Sequence, residues 1–336
     1  MAGLTLGYIL RRFGIFLLTI WLAATLIFII PRLAPGDPVA AMISRLTQQA
    51  GSVENADIII EAWKERLGLN EPLHMQYVKF LGSIATWDFG YSLAGFPTTV
   101  RSIILRALPW TIGLLTIATA IFFFLGNFLG ALLAWKKSPR IVKFLIPVTM
   151  IFTSLPAILS ALFLIYIFAV SLDWFPLQGS YQRGMRPEFT WDFIRSVIYH
   201  GTLPALSIVI VTFGYWTLGM RGMMVTVEGE DYMMLAEAKG LNPFYSLYRY
   251  MIRNAILPQI TALALTVGTL VGGSVLVEFI FSYRGMGNAI FRAIRDQDYA
   301  VIQGTSFILI LTTALSVFIL DMVYPLIDPR ISHEDR

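Results

Sequence analysis

The sequence predicts an all-α, polytopic membrane protein with about six transmembrane helices. Hydrophobic residues make up 57% of the 336 residues and charged residues only 14%, against roughly 25% charged residues in soluble domains. The mean hydropathy is +0.69. A water-soluble chain of this length could not bury so much apolar surface, whereas a lipid bilayer solvates it.

Six continuously apolar segments are long enough to cross a bilayer. A hydrocarbon core of roughly 30 Å requires about 20 residues in a helix, and backbone groups in lipid must bond within their own segment, which favours helices. A β-barrel would require short segments of alternating hydrophobicity instead. The predicted spans are Phe13–Ile30, Pro109–Trp135, Ile141–Leu172, Leu203–Val225, Ala255–Phe281 and Val301–Ile327.

Prolines and basic residues refine the first three spans. Pro109 is expected in the first turn of the second span, where its missing N–H costs nothing. The third span is long enough to tilt, or to kink at Pro147 and Pro156. The first span follows Arg11 and Arg12, but it is longer than a signal-peptide core and lacks a small-x-small cleavage site, so we expect a retained anchor.

Basic residues in the short connections predict the orientation, because cytoplasmic loops are enriched in lysine and arginine. Placing the connection between spans two and three inside puts both termini in the cytoplasm. Residues 1–108 would then form the first span and a long extracytoplasmic loop region, and residues 109–336 a five-helix core with a cytoplasmic segment at 229–253. The basic residues of that connection are Lys136, Lys137, Arg140 and Lys143.

No catalytic or energy-coupling constellation is recognisable in the sequence. There are no cysteines, the histidines are isolated, and no phosphate-binding loop occurs. Glu278 and Asp321 lie toward span ends, whereas ion-coupled carriers usually keep ionisable groups near the bilayer midplane. The net charge of +4 is spread along the chain and predicts no nucleic-acid partner. A secondary carrier and an intramembrane enzyme are therefore disfavoured alternatives.

The connection between spans four and five predicts two helices separated by a sharp break on the cytoplasmic side. The segment Met233–Lys239 consists of good helix formers. Gly240 fits the left-handed position after a helix, and Pro243 fits the first turn of another. Ala236 and Ala238 present little bulk, which would allow a partner surface to approach closely. An ordinary helical hairpin loop is the alternative.

These features resemble a permease subunit of the ATP-binding cassette importers, in the branch that takes up dipeptides, oligopeptides, nickel and related solutes. The segment Ala236–Gly240, followed by Ile256–Pro258, is similar to the family's cytoplasmic coupling motif, although Met234 and Leu235 replace its usual Glu-Ala. Other similar stretches run from one terminus to the other. They are Arg32–Pro38, Leu67–Pro72 with Gln76 and Tyr77, Asp88–Leu93, Val277–Gly287, and Asp321 with Asp328–Arg330.

The resemblance implies the transmembrane fold of a type I importer in a prokaryotic cytoplasmic membrane. This chain would form half of a pore, completed by a second, homologous permease subunit. Two ATPase subunits would bind ATP and magnesium, so that no cofactor or metal is expected in this chain, and an extracytoplasmic binding protein would deliver the solute. The implied ATPase contact comprises Asp231, Tyr232, Ala236, Glu237, Ala238, Lys239, Gly240 and Leu241.

Three further sets of residues are candidates for function. Gly268, Gly272 and Gly273 are expected to pack against another helix, because small residues spaced by four let helices approach closely in lipid. Tyr215 and Trp216 are a candidate solute path, and since aromatic faces suit sugar rings, short oligosaccharides are the alternative to peptides. The outer-loop motif implied by the resemblance comprises Arg32, Pro35, Gly36, Asp37, Pro38, Asp88 and Gly90.

Overall fold

The computed structural model describes residues 5–33 and 70–327, together with residues 58, 61 and 65. Within these residues the regular structure is helical, apart from one isolated bridge between Tyr91 and Thr99. The helices are α1 (Leu6–Leu33), α2 (Leu73–Thr86), α3 (Val100–Ala134), α4 (Arg140–Lys143), α5 (Leu145–Thr153), α6 (Ala157–Leu164), α7 (Trp191–Glu228), α8 (Asp231–Ala238), α9 (Pro243–Ser246), α10 (Arg253–Ile280), α11 (Met286–Arg295) and α12 (Tyr299–Ile327). Two π-helical segments, Ile165–Ser171 and Leu247–Ile252, follow α6 and α9.

The long helices confirm the prediction of an all-α polytopic membrane protein. Among the described residues, α1, α3, α7 and α12 are long and apolar enough to cross a bilayer, and a bent pair of helices raises the number from four to five. The predicted fifth span is also helical, because α10 has 28 residues, about 42 Å at 1.5 Å per residue. Predicted and observed bounds agree to within a few residues for spans five and six.

The second span begins earlier than predicted. Helix α3 starts at Val100, and Pro109 lies inside it, so the prediction that Pro109 occupies the first turn was wrong. The backbone N–H and hydroxyl of Ser102 bond to Thr99 at the true start of the helix. A proline in a transmembrane helix is tolerated where neighbouring groups satisfy the carbonyl that it leaves free, so the proline alone does not mark the helix start.

The third predicted span is broken, as its prolines suggested. Residues 140–153 and 157–171 form two helical arms bent by 106°. The bend lies at Pro156, whose ψ of 141° is extended and cannot continue a helix. Pro147 lies near the start of α5 and does not interrupt it, which is consistent with the tolerance of helices for proline in the first turn.

By its internal contacts the chain divides into two compact units. The large unit comprises residues 1–10, 111–283 and 316–336, and the small unit residues 11–110 and 284–315. Helix α7 is central to the large unit and packs against α5, α6 and α10.

Glycines allow α7 to approach its neighbours in the large unit at backbone distance. A Cβ atom added at Gly126 of α3 would lie 2.7 Å from the Cβ of Trp216, and one at Gly130 would overlap the carbonyl oxygen of Thr217. A Cβ at Gly214 would likewise overlap the carbonyl oxygen of Thr149 in α5. The spacing of Gly126 and Gly130 is the small-xxx-small pattern of close helix pairs in lipid.

In the small unit, aromatic contacts join α1 to α2, and a buried carboxylate holds the loop before α3. The ring of Phe28 lies 5.2 Å from that of Tyr77 and 5.5 Å from that of Phe80. Asp298 is 2% exposed. Its Oδ2 accepts from the hydroxyl of Ser92 and the backbone N–H of Ala94, and its Oδ1 accepts from the N–H of Val301 in α12. Asp298 therefore ties this loop to the start of α12.

We predict that Gly130→Ala destabilises the protein by about 1–3 kcal/mol, the usual cost of overpacking, because the new methyl group would meet the backbone of α7. Gly113→Ala is the matched control in the same helix, since no atom lies within 4 Å of a Cβ there, and alanine is the better helix former by about 1 kcal/mol. Thermal unfolding of the two purified variants measures the difference. Equal unfolding temperatures would contradict the close α3–α7 contact.

Candidate functional site

The predicted cytoplasmic segment at 229–253 forms two short helices joined by a tight turn. Helix α8 is preceded by Glu230 in an extended conformation with ψ of 145°. Asp231 occupies the first turn of α8, where a carboxylate interacts favourably with the free N–H groups and the positive end of the helix dipole. Only two residues separate the end of α7 at Glu228 from the start of α8.

Helix α8 ends in a Schellman turn centred on Gly240, as the sequence predicted. Gly240 has φ of +65°. Its N–H donates to the carbonyl of Glu237 at 2.9 Å, and the N–H of Leu241 donates to the carbonyl of Ala236 at 3.2 Å. This pair of bonds satisfies the last carbonyls of a helix and requires a left-handed residue, usually glycine.

The second helix of the segment begins directly after this turn. The side-chain oxygen of Asn242 accepts from the N–H of Phe244 at 2.9 Å, which caps α9, and Pro243 occupies the first turn. The π-helical segment Leu247–Ile252 then leads without a break into α10. A rigid turn therefore connects α8 to a span through two continuous helical segments.

Helix α8 has a buried face and an exposed face. One residue of the predicted ATPase contact, Ala236, lies on the buried face. Met233 and Ala236 are 5% and 3% exposed, so Ala236 packs inside this chain, and its side chain is not available to a partner as the sequence had suggested. Met234 and Leu235, the two departures from the family pattern, are 60% and 55% exposed. Of the other predicted contact residues, Leu241 is half-buried, and those that are exposed are Asp231, Tyr232, Glu237, Ala238, Lys239 and Gly240.

A core rich in methionine lies beneath α8 and joins it to three spans. Its members are buried residues from α3, α7, α8, the π-helical segment after α9, and α10. They are Ala131, Met220, Met224, Met233, Leu247, Met251 and Ala255. Methionine is unbranched and flexible and fills irregular spaces, so this core can follow small displacements of α8 without losing contact.

Two contacts at the ends of α3 and α7 brace this segment from the side. The rings of Trp135 and Phe244 lie 4.8 Å apart, and the Nζ of Lys136 lies 3.1 Å from a carboxylate oxygen of Glu228. The lysine side chain is 71% exposed, so the ion pair contributes little to stability. Burial, followed by the charge of Glu230, raises the pKa of Tyr232.

Of the two residues predicted to lie on the solute path, one is buried and the other is exposed. Trp216 is 0% exposed, and its indole lies 5.9 Å from the ring of Phe122 and 5.1 Å from that of Phe123. Its placement between α3 and α7 does not support a role in lining a path. Tyr215 is 58% exposed, and its place on a solute path stays a prediction.

The glycines of the fifth span show no close contact where the structure describes their surroundings. No atom lies within 4 Å of a Cβ built at Gly272, and the surroundings of Gly268 and Gly273 lie outside the described residues. Their packing against another helix stays a prediction. Among the described residues, close helix contacts of the large unit lie at Gly126, Gly130 and Gly214 instead. The G-x-x-x-G spacing of the first two could have been found in the sequence.

The described part of the outer-loop motif has structural roles. The guanidinium of Arg32 lies 3.5 Å from the ring centre of Phe28 and donates to Gln76 at 3.0 Å. Asp88 accepts from the N–H of Gly90 at 3.2 Å, and Gly90 has φ of +75°. Pro35, Gly36, Asp37 and Pro38 lie outside the described residues.

Arg221 of α7 is a candidate that the sequence analysis missed. It lies four residues before the end of the predicted span, and its backbone N would be 3.1 Å from a Cβ at Gly130. Its buried Nε has no hydrogen-bond partner among the described residues. Ionisable groups within a span are costly and mark functional positions more often than other residues do. The signal that could have found it is a basic residue inside the predicted bounds of the fourth span.

Residues 126–333 match the family described as binding-protein-dependent transport system inner membrane component. Curated relatives match over nearly the whole chain. The "Probable peptide ABC transporter permease protein" of Sinorhizobium fredii is 33% identical, covering 97% of this chain and 99% of the relative. The oligopeptide transport system permease protein AppB of Bacillus subtilis is 32% identical with the same coverage. The glutathione transport system permease protein GsiC of Salmonella choleraesuis is 30% identical, covering 98% and 100%.

We predict that Trp216→Ala lowers the free energy of unfolding by about 3–5 kcal/mol, as truncation of a buried aromatic residue does. Trp216→Phe should cost less, because phenylalanine keeps most of the ring contacts and the indole Nε1 has no hydrogen-bond partner to lose among the described residues. Tyr215→Ala, at an exposed neighbour, should leave thermal unfolding unchanged. If Trp216→Ala weakened solute binding without changing the stability, Trp216 would instead be assigned to the solute path.

Proposed function

The chain belongs to the binding-protein-dependent transport system inner membrane components, in the peptide permease branch, and we propose that it forms half of the translocation pore of a peptide importer. It is a multi-pass protein of the cytoplasmic membrane. The other half of the pore would be a second, homologous permease subunit. An extracytoplasmic binding protein would deliver the solute.

The observation that carries this proposal is the construction of the cytoplasmic segment. Helix α8 presents exposed side chains on one face and rests on the methionine-rich core with the other. Its end is held by the turn at Gly240, and the chain then continues into α10. A force applied to the exposed face would thus reach α3, α7 and α10 together.

In the proposed mechanism two partner ATPase subunits bind ATP and magnesium, and this chain holds no cofactor. Closure of the ATPases would displace α8, and the pore would alternate between outward and inward access. ATP can drive this change only if nucleotide-bound ATPases bind one pore state more tightly than the other. The exposed residues of α8 would supply that differential contact.

Short peptides are the proposed solute class. The three relatives described above are named for transport of a peptide, an oligopeptide and glutathione. The oligosaccharide alternative rested on two adjacent aromatic residues, of which Trp216 is buried in the helix core. Tyr215 alone provides one exposed aromatic face, which is a weaker argument for a sugar site.

We predict that Gly240→Val uncouples ATP hydrolysis from uptake by tenfold or more in reconstituted vesicles that contain the whole transporter. A β-branched residue resists positive φ, so the Schellman turn would open and α8 would lose its fixed direction. Gly240→Asn is the matched variant, because asparagine tolerates the left-handed conformation and no atom lies within 4 Å of a Cβ at this position. Asn should retain most of the uptake per ATP hydrolysed.

The controls separate coupling from folding and from choice of solute. Both variants should insert like the wild type, since Gly240 is exposed, and the strain of valine at positive φ should lower the free energy of unfolding by only about 1–3 kcal/mol. Normal peptide uptake by Gly240→Val, or equal loss by both variants, would contradict the role of the turn. Uptake that continues without ATPases and stops with a protonophore would instead indicate a secondary carrier. Uptake of labelled oligosaccharide in preference to di- and tripeptides would overturn the solute class alone.

A further inference from the structure

The cytoplasmic connection between α3 and α5 carries a dense and exposed basic surface. Within eight residues it holds four cations, all exposed, and the sequence from 136 to 172 contains no acidic residue. The connection includes the short helix α4, which starts directly after Pro139. The cations are Lys136, Lys137, Arg140 and Lys143.

Most of this charge is not neutralised by the residues that the structure describes. Lys136 pairs with Glu228 at 3.1 Å. Among the described residues the other three cations, Lys137, Arg140 and Lys143, form no ion pair. Three positive charges are therefore exposed on the protein surface, at the point where α3 ends and the next helical arm begins.

Large apolar side chains are exposed between these cations. Ile141 is 81% exposed and Phe144 is 74% exposed. Exposed apolar groups beside lysine and arginine are typical of segments that lie at a membrane surface, with the apolar groups inserted and the cations at the headgroups. The enrichment of cations in cytoplasmic loops accounts for the side of the membrane, but it does not account for the apolar residues among them.

The packing of α5 supports placement of α4 at the membrane surface. Thr149 of α5 lies against Gly214, within the apolar part of α7. Lys143 precedes Thr149 by six residues, which corresponds to about 9 Å along a helix. The helical arm of residues 140–153 thus runs from the basic surface into the apolar region. Helix α4 lies at the end of this arm that carries the basic residues.

We propose that Lys137, Arg140 and Lys143, with Ile141 and Phe144, form a binding site for anionic phospholipids of the cytoplasmic leaflet. The cations would contact the headgroup phosphates, and the two apolar side chains would enter the acyl region. Clusters of basic residues directly next to a span attract anionic headgroups over a few ångströms and in a salt-dependent manner. The proposal rests on the membrane location and the predicted orientation and does not require the peptide solute.

The test compares lipid retained by the purified transporter complex after extraction from vesicles of equal phosphatidylglycerol and phosphatidylcholine. We expect the wild type to enrich phosphatidylglycerol severalfold over the bulk ratio. The triple variant K137Q/R140Q/K143Q should lose at least two thirds of that enrichment. The matched control R183Q/R186Q/R195Q removes three exposed arginines, two from the connection before α7 and one from the beginning of α7, and should keep that enrichment.

A second variant guards against altered insertion, because removing cytoplasmic charges can change the topology. I141Q/F144Q keeps every charge and should also lower the enrichment, by a smaller factor. The chain has no cysteine, so a single Tyr248→Cys substitution, at a residue 73% exposed, reports the side of the membrane in each variant by labelling.

Three results would overturn the lipid site. The first is unchanged phosphatidylglycerol enrichment in both the triple variant and I141Q/F144Q. The second is equal loss in K137Q/R140Q/K143Q and the arginine control, which would indicate a simple effect of net charge. The third is loss of the ATPase subunits from K137Q/R140Q/K143Q with unchanged lipid, which would assign the basic surface to an acidic protein partner.

Discussion

Close contact between α7 and its neighbours at glycine positions is the interaction on which the large unit depends. In lipid, helices gain little from hydrophobic association, so packing at short distance must hold them together. Gly130 brings α3 against the backbone at Thr217, and Gly214 brings α7 against the backbone at Thr149. Helix α7 is thereby fixed on two sides, and its end at Glu228 determines where α8 begins.

The predicted cytoplasmic segment combines a rigid turn with a deformable support. Hydrogen bonds from Gly240 and Leu241 fix the end of α8, whereas the core below it contains four methionines, each 5% exposed or less. Helix α8 can therefore move against the methionine-rich core without opening cavities, because methionine side chains change rotamer at low cost. This combination suits an element that must transmit motion repeatedly.

The predicted inner side of the large unit thus carries two surfaces of different character. The exposed face of α8 includes Met234 and Leu235 beside charged residues, whereas the connection at 136–144 is basic and apolar without acidic residues. The ring of Trp135 contacts Phe244 of α9, and Lys136 pairs with Glu228 at the end of α7. A lipid bound at the basic connection would therefore lie close to the ends of α3 and α7, next to the segment proposed to receive motion from the ATPases.

Composition and local chemistry were sufficient for the membrane class, the approximate spans and the turn at Gly240, because hydropathy and the φ preference of glycine act on a few neighbouring residues. The break at Pro156 followed from the same local reasoning. The orientation of individual side chains did not follow, since it depends on which helices meet. Trp216 and Ala236 were candidates for contact with a solute and with a partner. Both side chains are buried inside this chain, that of Trp216 against Phe122 and Phe123 of α3. Likewise, only the tertiary contacts showed that Gly126 and Gly130, rather than Gly272, meet another helix within this chain, because close approach requires a partner backbone at the same height.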